Sequence, residues 1–343
     1  MLYFSSDYME GCHPNILRRL SEINMDKNPG YGTDAICESA KNKICAACGK
    51  PDAEVYLLVG GTQTNAVVIK SMLRSYEGVV AAATGHVAVH EAGAIEAGGH
   101  KVLTLPEHNG KLDAAEVEEY IATFYKDANH EHMVKPGMVY ISHPTEYGTL
   151  YTKAELEALH SVCAKYDIPL FLDGARLGYG LAATGTDVTL ETIADNCDVF
   201  YIGGTKVGAM FGEAVVFTGK APEGFFSIIK QNGALLAKGW MLGVQFDELF
   251  TDGLYFDICR GAVAAALRIR EAFAARGIAF FGQSMTNQQF PILEDQQLAK
   301  LQETYAVSFW SKTNATHTAV RFCTSWATDP AAVKQLITDI QAL

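Results

Sequence analysis

The chain has 343 residues, of which 49% are hydrophobic and 19% charged, and its formal net charge is −12. That length and balance suit a soluble protein with a sizeable core, divided into one large and one smaller domain. The negative charge repels phosphate backbones, which excludes nucleic acid as the expected partner. No apolar run approaches the roughly 18 residues of a spanning helix, and Met1-Leu2-Tyr3-Phe4 has no basic segment before it, so neither a membrane nor a secretory leader is expected. The eight cysteines, from Cys12 to Cys323, read as small buried hydrophobes in a reducing compartment, and a cytoplasmic location is expected. Cys45 and Cys48 stand three apart, but no second pair follows to complete a zinc site.

In chain order, residues 35–48 read as a helix, and 54–59 as a short apolar strand running into Gly60-Gly61-Thr62 and a helix over 63–73. A strand at 78–83, a helix over 87–97 and a strand at 101–105 follow. Asp113 is placed to cap a helix over 114–124. Residues 138–142 form a strand, and Leu156, Leu159 and Val162 mark the buried face of a helix over 153–166. Two more buried strands end at Asp173 and at Gly203-Gly204-Thr205-Lys206, and 213–218 reads as another. Strands that alternate with helices, and that are apolar throughout, predict an α/β fold: a mostly parallel sheet sandwiched by helices. After residue 247 the pattern changes to a long Ala-rich helix over 256–276. Strands at 279–281, 307–310 and 319–323 then mix with helices over 295–304 and 330–340. The expected division is an N-terminal arm (1–13), a large domain (14–247) and a small C-terminal α+β domain (248–343).

Ligands of such sheets bind beyond the carboxyl ends of the strands. Three ends carry chemistry. Gly60-Gly61-Thr62 lets a backbone approach an anion at a helix N-terminus, although it matches neither common nucleotide-binding glycine motif. Asp173 closes an apolar strand, where its carboxylate needs a partner such as Arg176 or a helix N-terminus. Lys206 follows an apolar strand among glycines, where desolvation makes an amine nucleophilic toward carbonyls. An amine, a carboxylate and a phosphate cradle are the three groups pyridoxal phosphate needs. His86 and His90 lie one turn apart, but no third ligand is evident in the sequence and no metal is expected.

With these residues the sequence resembles the threonine aldolase and β-eliminating lyase family, within the aspartate-aminotransferase fold of pyridoxal-phosphate enzymes. The matching pieces stand in family order: Ser6-Asp7, Gly30-Tyr31-Gly32, Gly61-Thr62 with Asn65, His86 with Glu91 and Gly93, Asp173-Gly174-Ala175-Arg176-Leu177, and Thr205-Lys206. The resemblance implies the cofactor's Schiff base on Lys206, its ring nitrogen on Asp173, its phosphate on Gly61 and Thr62 beside Thr205, and its ring face on His86. It implies that Arg176, Ser6 and Arg321 bind the carboxylate of a small amino-acid substrate. Tyr31 is the family's active-site tyrosine, reaching a neighbouring subunit of a homodimer or homotetramer. The implied reaction is retro-aldol cleavage of a β-hydroxy-α-amino acid to glycine and an aldehyde, with His86 as first candidate for the base and Glu146 as second. One departure stands out. In His143-Pro144-Thr145-Glu146-Tyr147-Gly148, Glu146 occupies the place expected for a histidine, and either it or the shifted His143 is left to meet the substrate hydroxyl. That change keeps β-elimination, which begins at Cα–H, as the alternative reaction.

Overall fold

Seven strands, the central ones buried on both faces and the edge strands only partly, build the main sheet. A computed structural model describes every residue from Met1 to Leu343. After a short β1 (Leu2–Tyr3) come β2 (Glu54–Leu58), β3 (Glu77–Ala82), β4 (Val102–Leu105), β5 (Lys135–Ser142), β6 (Leu170–Asp173), β7 (Val199–Gly203) and β8 (Glu213–Phe217). The order in the sheet is β2-β8-β7-β6-β5-β3-β4. All neighbours are parallel except β8, which runs against both β2 and β7. The reversal puts the first residue of β8, Glu213, at the edge where the other strands end. Along β5, Met138 and Tyr140 join one core cluster while Val139 and Ile141 join another, so each face of the sheet carries its own helix-covered core. This is the α/β sandwich that the unbroken apolar strands imply.

A second layer follows the 22-residue helix Leu254–Ala275. It contains β9 (Gln288–Gln289), β10 (Ile292–Glu294), β11 (Tyr305–Ala306), β12 (Ser308–Lys312) and β13 (His317–Cys323). β13 is the centre, with β10, β12 and β9 antiparallel to it. The first residues of the chain return to this layer: β1 pairs in parallel with β11, and Phe4 packs on Tyr305 and Phe322. That return places Ser6 and Asp7 over the sheet edge where Asp173 and Lys206 stand.

Among the elements that differ from the sequence reading, three show why. The helix expected over 87–97 is two single turns, His86–Val89 and Ala94–Ala97. Ala92 and Gly93 between them take φ of 51° and 71°, a left-handed kink that a continuous helix cannot contain. The strand expected over 279–281 is reduced to one bridge between Phe280 and Pro291. The helix Trp240–Leu249 is not anticipated: its Gly239 start and Gly243 hide the periodicity, and Gly243 lies hard against Cys37.

Candidate active site

At the carboxyl edge of the sheet a cleft of about 610 Å³ collects Val59, Gly60, Gly61, Thr62, His86, Glu146, Arg176, Thr205, Lys206 and Arg321. The size suits a small ligand. Lys206 and Asp173 belong to the ends of adjacent strands, β7 and β6.

Asp173 is 4% exposed and saturated with donors. Tyr140 and Tyr201 donate their hydroxyls to Oδ2 and Oδ1, each at 2.5 Å. Asn65 Nδ2 donates to Oδ2 at 3.0 Å and the Ala175 N–H to Oδ1 at 3.0 Å. Burial opposes the charge, but His86 and these hydrogen bonds outweigh it and hold the carboxyl below its usual range. Asp173 is therefore an anion at neutral pH. The salt bridge to Arg176 that the sequence allows does not form.

Arg176 instead gives Nε and Nη2 to Asp7, at 2.7 and 2.9 Å, in a buried fork. Asp7 occupies the Nε/Nη2 edge of Arg176, which leaves the end-on edge, Nη1 and the second Nη2 hydrogen, for a ligand. Burial would raise the Asp7 carboxyl, but the charge and hydrogen bonds of Arg176 pull it down to about 2. Arg321, from β13, is the freer guanidinium. Its Nη1 and Nη2 reach Gln288 and the Ser5 carbonyl at 3.2 and 2.9 Å, while its Nε is buried without a partner. Gln288 Nε2 and Ser6 Oγ are likewise buried and unpartnered. Arg321 and Gln288, which both line the cleft, thus keep two buried donors without acceptors.

His86 begins its short helix and holds Glu91 through Nδ1 at 2.8 Å, which fixes the ring and leaves Nε2 free. Burial disfavours its charge, but Glu91 and Asp173 more than compensate and raise its pKa. Ligand atoms of His86, Glu91 and Asp173 lie within 4.8 Å of one another, a grouping the sequence did not reveal. Asn65 donates to Glu91 Oε1 at 2.7 Å and to Asp173 Oδ2 at 3.0 Å, which ties the three side chains together, while Glu91 Oε2 is buried without a partner.

Glu146 stands on the other side of His86. Its Oε1 accepts the His86 N–H at 2.9 Å and the Ser142 hydroxyl at 2.7 Å, while Oε2 is buried with no partner. Burial pushes the carboxyl up to about 7. His143, the other candidate from that loop, is fully buried away from the cleft, where Nδ1 accepts the Tyr151 N–H at 3.3 Å. Burial lowers its pKa to about 4.

Thr205 locks the lysine turn: its Oγ1 accepts the Gly212 N–H at 3.0 Å. Gly61 opens the helix Gly61–Met72, and a Cβ there would sit 3.1 Å from the Tyr201 hydroxyl, so glycine lets that phenol reach Asp173. Tyr31 is not in this cleft. It lines a separate apolar groove with Tyr56, Leu235 and Leu242, its ring 4.9 Å from Lys230 Nζ. Within one chain it cannot serve the Lys206 site. The sequence reading passed over Tyr140, Tyr201, Gln288 and Glu213. The phenols look like ordinary core aromatics in apolar strands, but each precedes the strand end by one or two residues on the face that Asp173 shares.

A strand-end lysine, a buried anion held by three side-chain donors, a free helix N-terminus and an oriented imidazole fit pyridoxal phosphate, and define the class: an α/β enzyme that carries this cofactor on a lysine. The beta-eliminating lyase family model matches residues 4–336, and the chain belongs to that family. It is 29% identical over 349 residues to a low specificity L-threonine aldolase of a Pseudomonas species, covering 99% of this chain and 97% of that one. A second such enzyme, from Pseudomonas aeruginosa, is 29% identical over 342 residues, covering 98% and 96% of the two chains. A solved Leishmania major threonine aldolase superposes with a TM-score of 0.96 at 40% identity, over 100% of this chain and 99% of that one.

Proposed function

We propose that the chain is a pyridoxal-phosphate lyase that cleaves the Cα–Cβ bond of a β-hydroxy-α-amino acid of the threonine type, giving glycine and an aldehyde. The observation that carries this reading is the Lys206 amine and the orphaned Glu146 carboxylate lining one cleft, with the anionic Asp173 buried beside His86 at its floor. The cofactor supplies an electron sink for the pair left at Cα. The protein's part is to hold and to move protons. Lys206 anchors the cofactor covalently. Asp173 keeps the ring nitrogen protonated, because its own proton is held off by four hydrogen bonds. Gly61 and Thr62 present the helix N-terminus to the phosphate, and Thr205 shapes the turn beside it. His86, which lines the cleft, would face the ring. Arg321, with Ser6, Gln288 and Nη1 of Arg176, receives the substrate carboxylate and orients Cα.

The proton of the substrate hydroxyl goes to Glu146 rather than to His86. A base needs a free lone pair and a pKa near the working pH. Glu146 has both, whereas the raised pKa of His86 favours its protonated form. A second copy of the chain is the partner that would bring Tyr31 to the cleft, in a homodimer or homotetramer. No helix is long and apolar enough to cross a membrane. All eight cysteines are unpaired thiols, which supports a cytoplasmic setting. The test is to incubate the cofactor-loaded protein with L-threonine and L-allo-threonine and measure glycine and acetaldehyde. Their formation in equal amounts supports the reading. Pyruvate and ammonia from serine, without acetaldehyde from either threonine, would replace it with β-elimination.

A further inference from the structure

Glu213 has no part in the scheme above, yet it is only 3% exposed and lines the same cleft as Lys206. Its ladder partners are Leu58 on β2 and Gly203 on β7. Both lead straight into the site. Leu58 runs through Val59 and Gly60 into the helix at Gly61, and Gly203 runs through Gly204 and Thr205 to Lys206. Glu213 Oε2 accepts the Gly204 N–H at 3.2 Å. The acid thus lies between the phosphate cradle and the lysine.

The groups that face it are few. Lys206 and the Thr205 hydroxyl favour its charge, and Asp173 opposes it. Tyr201 from β7 and Tyr255 from the helix Leu254–Ala275 face it as phenols whose own pKa values burial drives well upward. β2 offers only Leu58, and the first turn of the helix Gly61–Met72 holds no charged residue. Burial dominates and pushes the Glu213 carboxyl up to about 8.

Without cofactor, Glu213 is negative only above about pH 8, where the Lys206 ammonium complements its charge. A phosphate docking at Gly61 brings two more negative charges to the helix N-terminus, and covalent attachment removes the ammonium. Two anions would then share one poorly solvated cleft, which disfavours the ionised form of Glu213. We propose that the cofactor phosphate docks against a neutral Glu213, which donates its proton in a hydrogen bond to a phosphate oxygen and, in alkaline solution where the empty site leaves it ionised, takes that proton up from solvent as the phosphate arrives. The proposal rests on the cofactor reading given above.

Binding of pyridoxal 5′-phosphate and of pyridoxal to the cofactor-depleted full chain, followed by tryptophan fluorescence from pH 7 to 9.5, isolates the phosphate. Titration of Lys206 affects both ligands alike and cancels in the ratio of their Kd values. In the wild type the preference for the phosphorylated ligand should fall about tenfold per pH unit above pH 8. In Glu213→Gln, whose amide donates at every pH, the ratio should be flat across that range and within about threefold of wild type at pH 7. Glu213→Ala should lower the ratio at pH 7 about tenfold. A wild-type ratio that holds constant to pH 9.5, or a Glu213→Gln variant that follows the wild-type curve, overturns the proton coupling alone. A wild type with no preference for the phosphorylated ligand at pH 7 overturns the cofactor reading and the proposal with it.

Discussion

Glu146→Gln separates the proton acceptor from the rest of the site with little structural disturbance. The amide oxygen can still accept the Ser142 hydroxyl and the His86 N–H that hold Oε1, at 2.7 and 2.9 Å. Only the basic lone pair on the unpartnered Oε2 is lost. A positioned general base contributes about 10²–10⁴-fold, equivalent to roughly 3–5 kcal/mol of barrier, so kcat/KM for aldehyde release should fall within that range. The pH dependence gives an independent sign. The carboxyl, raised to about 7, must be deprotonated to accept a proton, so wild-type kcat/KM rises with pH through that value and levels off above it. In Glu146→Gln this limb disappears, while cofactor binding stays as in wild type. Continuous assay of acetaldehyde with coupled alcohol dehydrogenase, from pH 5.5 to 9, reads both effects. A variant within threefold of wild type, or one that keeps the same limb, refutes the assignment and returns the role to His86.

Asp173→Asn should leave the cofactor attached but reduce kcat by about 100-fold or more, because a neutral amide no longer holds the proton on the ring nitrogen; steady-state kinetics with cofactor content measured in parallel decides this. Asp7 carries a stability signature. Its pKa is about 2 when folded against a usual 3.8, so the ion pair with Arg176 stabilises the fold fully above pH 4 and is lost as pH falls toward 2. The loss should be roughly 2 kcal/mol in urea unfolding, and Asp7→Asn should abolish that part of the pH dependence. If Tyr31 acts across a subunit boundary, mixing Tyr31→Phe with Lys206→Ala subunits should recover up to about a quarter of wild-type activity through hybrid sites. No recovery in verified hybrids would remove Tyr31 from the site.

The layout of the sheet is legible because burial on both faces demands unbroken apolar strands, and Asp173 and Lys206 stand out as charges at the ends of two of them. The polar shell around Asp173 is not legible in the same way. Tyr140 and Tyr201 supply its strongest hydrogen bonds, yet in sequence they are aromatic residues in core strands. Glu213 was read only as the start of a strand. Its meaning depends on the antiparallel reversal of β8, which no local pattern announces. The kink at Ala92 and Gly93 escaped for a related reason: the apolar spacing continues through it, while the left-handed backbone that breaks it belongs partly to an alanine. The ion pair between Asp7 and Arg176 joins residues 169 positions apart, a pairing that no local pattern announces.

The cofactor anchor itself can be located covalently. Reduction of the cofactor-loaded protein with borohydride, followed by peptide mass spectrometry, should find the phosphopyridoxyl group on the peptide containing Lys206 and on no other, and should find none in Lys206→Ala. A phosphopyridoxyl group on a different lysine, or a Lys206→Ala protein that carries it undiminished, would contradict the account at its base.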